Sequence, residues 1–218
     1  MYKHPKPKTD PEIFDEVISE RARAVVIPKA TDLEKFKIVG RNGKVSNLSQ
    51  LWDGQGVVLR ICQEKWEVGK ASWLDIHRSV QGGISTLAMG LVAWMLTQSD
   101  KICVVTCIDN KTAKYYKDVV SNMLDGKALQ CKKDQILNIG NSFATFSTYE
   151  KVPKFIEGKP IHGLVCFDSD CLNQPEEEKF AKEIKFSLHR RPPCFAFHIN
   201  KRELEGSPWP GSFFKVDI

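Results

Sequence analysis

The segment His77-Arg78-Ser79-Val80-Gln81-Gly82-Gly83-Ile84-Ser85-Thr86 holds residue types that can do chemistry together. Adjacent glycines let backbone N–H groups converge on one point, hydroxyls follow at Ser85 and Thr86, and a basic side chain stands upstream at Arg78. Placed between a strand and a helix, such a loop cradles phosphate: its N–H groups and the helix N-terminus face the oxygens, and a hydroxyl joins a Mg2+ shell. The usual Gly-x-x-x-x-Gly-Lys-Ser/Thr form would put lysine at position 84, where this chain has Ile84. As a bare pattern the segment also fits a plain reading, in which the glycines only make a tight turn.

A phosphate site that does work needs a carboxylate, because Mg2+ is held by one and an attacking water needs an acid/base partner. The apolar run Leu164-Val165-Cys166-Phe167 ends in Asp168, followed by Ser169 and Asp170. Asp168 is the candidate for the metal's water shell, with a turn or helix-cap carboxylate as the alternative. Ser85, or Thr86 beside it, is the candidate metal hydroxyl.

These residues resemble those of one known family, the ATPase domain of the large terminase subunit of tailed bacteriophages. That family often uses a deviant phosphate loop of the form Lys/Arg-x-Arg-Gln-x-Gly-x-Ser/Thr-Thr/Ser. Arg78, Gln81, Gly83, Ser85 and Thr86 match it, and Val80 departs from it. The likeness runs over residues 35 to 200, through the apolar stretch Leu87–Leu96, the run Lys101–Ile108 and the segment Asp109–Val120.

It implies a P-loop, ASCE-type ATPase fold that binds ATP and Mg2+. By that resemblance Arg78 faces phosphate charge, Gln81, Gly82, Gly83, Ile84, Ser85 and Thr86 form the cofactor loop, and Gln50 or Gln55 reads adenine. It further implies double-stranded DNA, bound without sequence preference, and phage packaging proteins (portal or terminase subunits) as partners. Motors of that family act as rings, so it also implies a homo-oligomer, in the cytoplasm of an infected cell.

The family places Glu directly after the strand-end Asp, whereas this chain has Ser169 and then Asp170. Either Asp170 takes over that role, or water activation is lost. A one-residue shift at a strand end reverses side-chain direction, which favours impaired hydrolysis. A catalytically inactive module that binds DNA or protein as a regulator is the alternative function. No nuclease activity is expected, because the family's nuclease domain would follow the last ATPase strand. In that last strand, His198 and Asn200 stand where the family couples nucleotide state to motion.

The elements that must position these groups are legible as an alternation. Strands are predicted at Trp73–His77, Lys101–Ile108, Ile161–Phe167 and Cys194–Ile199, with two more within 135–149 around Gly140-Asn141. Helices are predicted at Ile84–Thr97, at Asn110–Met123 behind an Asp109 cap, and at Pro175–Leu188 with proline in its first turn. Ahead of them, Phe36–Val45 reads as a hairpin around Asn42-Gly43. The whole is α/β, a mostly parallel central sheet with helices on both faces. Residues 1–34 are predicted to form a basic arm and an accessory helix over Pro11–Ala24, and the resemblance implies a terminase-like ATPase domain over 35–218.

Composition bounds the rest. At about 150 residues per domain, 218 residues hold roughly one and a half domains. The 42% apolar and 27% charged residues exclude a disordered or collagen-like chain. A net charge of +5 favours phosphate-bearing partners without requiring them. The basic clusters Lys132-Lys133 and His189-Arg190-Arg191 suit either DNA phosphates or a solvated surface. The seven cysteines have no zinc-site spacing and read as small buried hydrophobes, and no histidine has a Ser or Cys partner arguing for a hydrolase triad. No apolar run reaches the ~20 residues of a spanning helix.

Overall fold

A computed structural model describes residues 36–39, 45–47, 53–77, 83–124, 129–131, 135–152, 156, 158–190, 192–201 and 214–217. In chain order the elements are β1 (Lys37–Val39), β2 (Val45–Asn47), α1 (Asp53–Glu67), β3 (Ser72–His77), α2 (Ile84–Leu96), β4 (Ile102–Cys107) and α3 (Asn110–Met123). There follow β5 (Leu129–Cys131), β6 (Ile136–Ile139), β7 (Ser142–Thr148), β8 (Gly163–Phe167), a 3-10 turn at Ser169–Cys171, α4 (Gln174–Lys185), β9 (Phe195–Asn200) and β10 (Phe214–Asp217).

Eight strands form one sheet in the order β10-β3-β9-β8-β4-β7-β6-β5. The six from β10 to β7 run parallel, and β6 and β5 extend the edge antiparallel. The predicted α/β class, with a mostly parallel sheet, is what the chain adopts. Every residue of β8 and β9 is buried, as parallel strands require when helices cover both faces. β3 alternates buried and half-buried positions, which suits a strand near the edge.

On one face Val105, Val165, Phe197 and Leu74 pack against α1, α2 and α3. On the other, Val104, Leu164, Cys166 and Ala196 pack against Phe180, Ala181 and Ile184 of α4. Helix α2 is apolar nearly all round and buried from Leu87 to Leu96, so only its first turn carries polar, half-buried side chains.

β1 and β2 pair antiparallel with Val39 opposite Val45. That is the predicted hairpin, with the Asn42-Gly43 connection outside the described residues. The arm and accessory helix of 1–34 lie outside them too. The sequence reading did not anticipate α1, β5 or β10. Helix α1 contains Gly54 and Gly56, poor helix formers, yet Val58, Leu59, Cys62 and Trp66 recur at helical spacing and are buried. Trp66 stacks on Trp94 of α2 at 5.8 Å, and its indole N–H donates to the Cys194 carbonyl at 2.9 Å.

Candidate functional site

In an open parallel sheet the carboxyl ends of neighbouring strands lie side by side, and ligands bind there. Pairing sets His77 of β3 opposite Asn200 of β9, and Phe167 of β8 opposite Ile199. Strand β9 therefore lies between the strand that leads into the glycine loop and the strand that ends in Asp168.

On the loop side, Gly83 caps α2 in the left-handed region, with φ 68° and ψ 4°. Its carbonyl accepts the N–H groups of Thr86 and Leu87 at 3.0 and 3.1 Å. No side chain caps this helix and no acid stands in its first turn, so nothing on α2 opposes the positive end of its dipole. Glycine is favoured twice here: by the positive φ, and because a Cβ would collide with the side-chain amide of Gln55, which would have to shift. Gln55 comes from the first turn of α1 and is only 7% exposed.

On the acidic side, Asp168 also takes the left-handed region, with φ 53° and ψ 41°. That conformation costs a non-glycine residue about 1–2 kcal/mol, and Asp is among those that tolerate it. It turns the chain off β8 into the 3-10 turn at Ser169–Cys171. No strand continues beyond Phe167, so Asp170 sits in this turn and strand alternation does not set the direction of its side chain, contrary to the sequence expectation.

Asp168 N–H donates to the Ile199 carbonyl at 2.9 Å, and its Oδ1 lies 3.5 Å from the Lys201 ammonium. Asn200, 1% exposed, clamps the turn: its Oδ1 accepts Ser169 Oγ–H at 3.0 Å and Asp170 N–H at 3.4 Å. Asp170 Oδ1, Asn200 Nδ2 and Thr106 Oγ1 are buried and make no hydrogen bond within the protein. Buried polar atoms left unbonded are uncommon, and functional sites are one place where they collect. His77 Nε2 donates to the Lys201 carbonyl at 2.8 Å, tying the start of the loop to the end of β9.

Gly83, Ser85, Thr86, Gln55, Asp168 and Asp170 are thus all found at or beside this edge. Arg78, Gln81, Gly82 and Gln50 lie outside the described residues. The side chain of Ile84 is 2% exposed and packed in the core, which leaves only its backbone for a ligand. Of the basic clusters, Arg190 lies 5.9 Å over the Trp73 ring, while Lys132, Lys133 and Arg191 are outside the described residues.

The sequence reading missed Lys201, and it named Asn200 without its role as a clamp. The available signal was their position at the end of an apolar strand: Asn200 is the last residue of β9 and Lys201 follows it, as Asp168 follows β8.

Burial shifts several other titratable groups. His198 is fully buried, which holds its imidazole neutral by lowering its pKa to about 3. His162 lies at the opposite, amino end of the sheet, where its Nδ1 accepts Ile102 N–H at 3.2 Å and its ring stacks on His189. Burial, with Lys101 and His189 nearby, lowers the His162 pKa to about 4. Burial pushes the Cys62 and Cys194 thiols up to about 12, so neither is a nucleophile near neutral pH.

Among the described residues no group of three or more His, Cys, Asp or Glu forms a metal cage. Mg2+ in a nucleotide site needs none, since one carboxylate, a hydroxyl, waters and the phosphates themselves complete its shell. The donor chemistry at this edge, an Asp carboxylate and first-turn hydroxyls beside an uncapped helix N-terminus, fits a magnesium nucleotide and not a free-standing metal centre. No helix among the described residues is long and apolar enough to cross a membrane.

No protein-family profile and no curated protein matches the chain. Among solved structures it is similar to the HK97 bacteriophage large terminase, with a TM-score of 0.57 at 17% identity. The match covers 87% of this chain and 39% of that one, so the chain spans about two fifths of that terminase's length. At such identity the likeness is one of fold. In fold, then, this chain is terminase-like.

Proposed function

We propose that this chain is a terminase-like nucleotide-binding module that takes ATP with Mg2+ at the carboxyl edge of its sheet and engages double-stranded DNA or the packaging machinery. One observation carries the reading: an uncapped, acid-free helix N-terminus led by left-handed Gly83 and a strand-end Asp168 flank the same strand, β9. Backbone N–H groups of Gly82, Gly83 and α2 bind phosphate, Arg78 offsets its charge, Ser85 or Thr86 joins the metal shell, and Asp168 orients the metal's waters. Bound Mg2+ supplies charge neutralisation of the β- and γ-phosphates. Gln55 supports the Gly83 backbone from below. For DNA, α3 opens at this edge with Lys111 and Lys114 exposed, and such side chains bind phosphates without reading bases.

Hydrolysis is slow or absent in this reading. Ser169 stands where an acid/base carboxylate would follow Asp168, and its hydroxyl is committed to Asn200. The same observation favours the second reading, a catalytically inactive module that regulates through DNA or protein binding.

Thermal unfolding with ATP and Mg2+ tests the binding. Ligand at 100 times its Kd adds about 2.7 kcal/mol, and Asp168→Ala should reduce that gain. An unchanged melting temperature in the parent protein sinks the nucleotide reading. Phosphate release with and without duplex DNA then separates slow motor from inactive module, and DNA binding without a salt slope removes the DNA partner.

A further inference from the structure

We infer that Lys201 is a second phosphate-facing cation of this site, supplied from the end of β9 and additional to the Arg78 of the glycine loop. The inference rests on the nucleotide reading above and adds to it a residue and an exchange of partners. A triphosphate brings several negative charges to the edge. The position where the loop would carry lysine is Ile84, whose side chain is locked in the core.

Lys201 directly follows β9, the strand between loop and acid, and it is held from both sides. Its carbonyl accepts the His77 ring N–H at 2.8 Å, which pins its backbone to the residue that begins the loop. Its ammonium lies 3.5 Å from Asp168 Oδ1, on the far side of the same gap. Asn200, next to it in the chain, is buried and clamps the Ser169–Asp170 turn. Only the Lys201 stem is therefore left to move.

The Lys201–Asp168 pair is a loose one. The lysine side chain is 61% exposed and the aspartate 21%, and ion pairs of that exposure add little to stability. A divalent cation bound with a phosphate ligand would compete with the monovalent ammonium for the Asp168 carboxylate, and the Lys201 ammonium would then be available to a phosphate oxygen. An ammonium on a flexible stem suits that task, because it meets phosphate as a point charge with no fixed geometry to satisfy. The pair thus gives each charge a partner before a ligand binds, and both would exchange partners on binding.

The test compares the full chain with Lys201→Met, Lys201→Gln and Lys201→Arg, measuring affinity for ATP with Mg2+, for AMP, and the stabilisation by Mg2+ alone. Lys201→Met and Lys201→Gln should bind ATP with Mg2+ about tenfold to a hundredfold more weakly, as when one charge-assisted hydrogen bond is lost. AMP affinity should change less than about twofold, and Lys201→Arg should stay within about threefold of the parent. Stabilisation by Mg2+ alone should rise in the neutral variants, because the competing ammonium is gone.

If the parent binds no ATP, the nucleotide reading falls and this inference with it. If the parent binds and the neutral variants bind equally well or more tightly, Lys201 is only a counter-ion of Asp168. The inference alone is then overturned.

Discussion

Replacing Gly83 with alanine should expose how tightly the helix start is built. Two effects add. At φ 68° an L-residue costs about 1–2 kcal/mol relative to glycine. The new Cβ also collides with the Gln55 amide, a buried side chain that must then leave its place, at about 1 kcal/mol for disturbed hydrogen bonding. The expected loss is about 2–3 kcal/mol, or a melting temperature lower by roughly 4–12 °C for a chain of this size.

Urea unfolding of Gly83→Ala, Gln55→Ala and the double variant separates the terms. In the Gln55→Ala background the collision is absent, so only the backbone strain remains and the cycle should show about 1 kcal/mol of coupling. Gly83→Asn gives an independent check, since asparagine tolerates the left-handed region yet still carries a Cβ. A Gly83→Ala loss under about 0.5 kcal/mol, or a cycle additive within about 0.3 kcal/mol, refutes the close packing of Gln55 against Gly83.

Stability should also fall on mild acidification. His198 and His162 have their pKa values lowered by burial from 6.5 to about 3 and about 4, so between pH 6.5 and 4 the unfolded chain takes up protons that the folded chain refuses. Each such histidine removes up to ~1.36 kcal/mol per pH unit as pH falls, and this penalty is absent above pH 6.5. His198→Asn should flatten the slope of unfolding free energy against pH, and an unchanged slope would count against its burial. Restoring the standard loop lysine by Ile84→Lys should not create a better ATPase. It removes about 1.5–3 kcal/mol of apolar burial and puts a charge into the core at a further several kcal/mol. A variant as stable as the parent with tighter ATP binding would show that position 84 faces the phosphates after all.

Several elements could be read closely because their signals are local. Helix α3 spans Asn110–Met123 as predicted, with Asp109 capping it by accepting Thr112 N–H at 2.7 Å. Helix α4 begins with the capping box of Asn173 and Glu176 and proline in its first turn. Strands β4, β8 and β9 follow apolar runs rich in β-branched or aromatic residues. Helix α1 was missed because its glycines mask a helical apolar stripe, and β10 because four residues carry too little periodicity. The candidate site was legible in part: Gly83, Ser85 and Asp168 follow from loop and strand-end patterns, whereas Lys201 has no motif.

The sequence by itself determined that β4, β8 and β9 are buried strands, where α2, α3 and α4 begin, and that Gly83 and Asp168 each stand at the end of an element. Periodicity, caps and glycine placement act over a few residues, so a linear reading suffices. Only the tertiary structure decided the order of the strands, and with it the company those residues keep. Inserting β9 between β3 and β8 brings Lys201 to Asp168 and to His77, and packing α1 beneath the loop brings Gln55 to Gly83. Strand order is set by which apolar faces pack best across the whole sheet, as where residues of β3, β4, β8 and β9 share one core with α1, α2 and α3, and no local spacing encodes that choice.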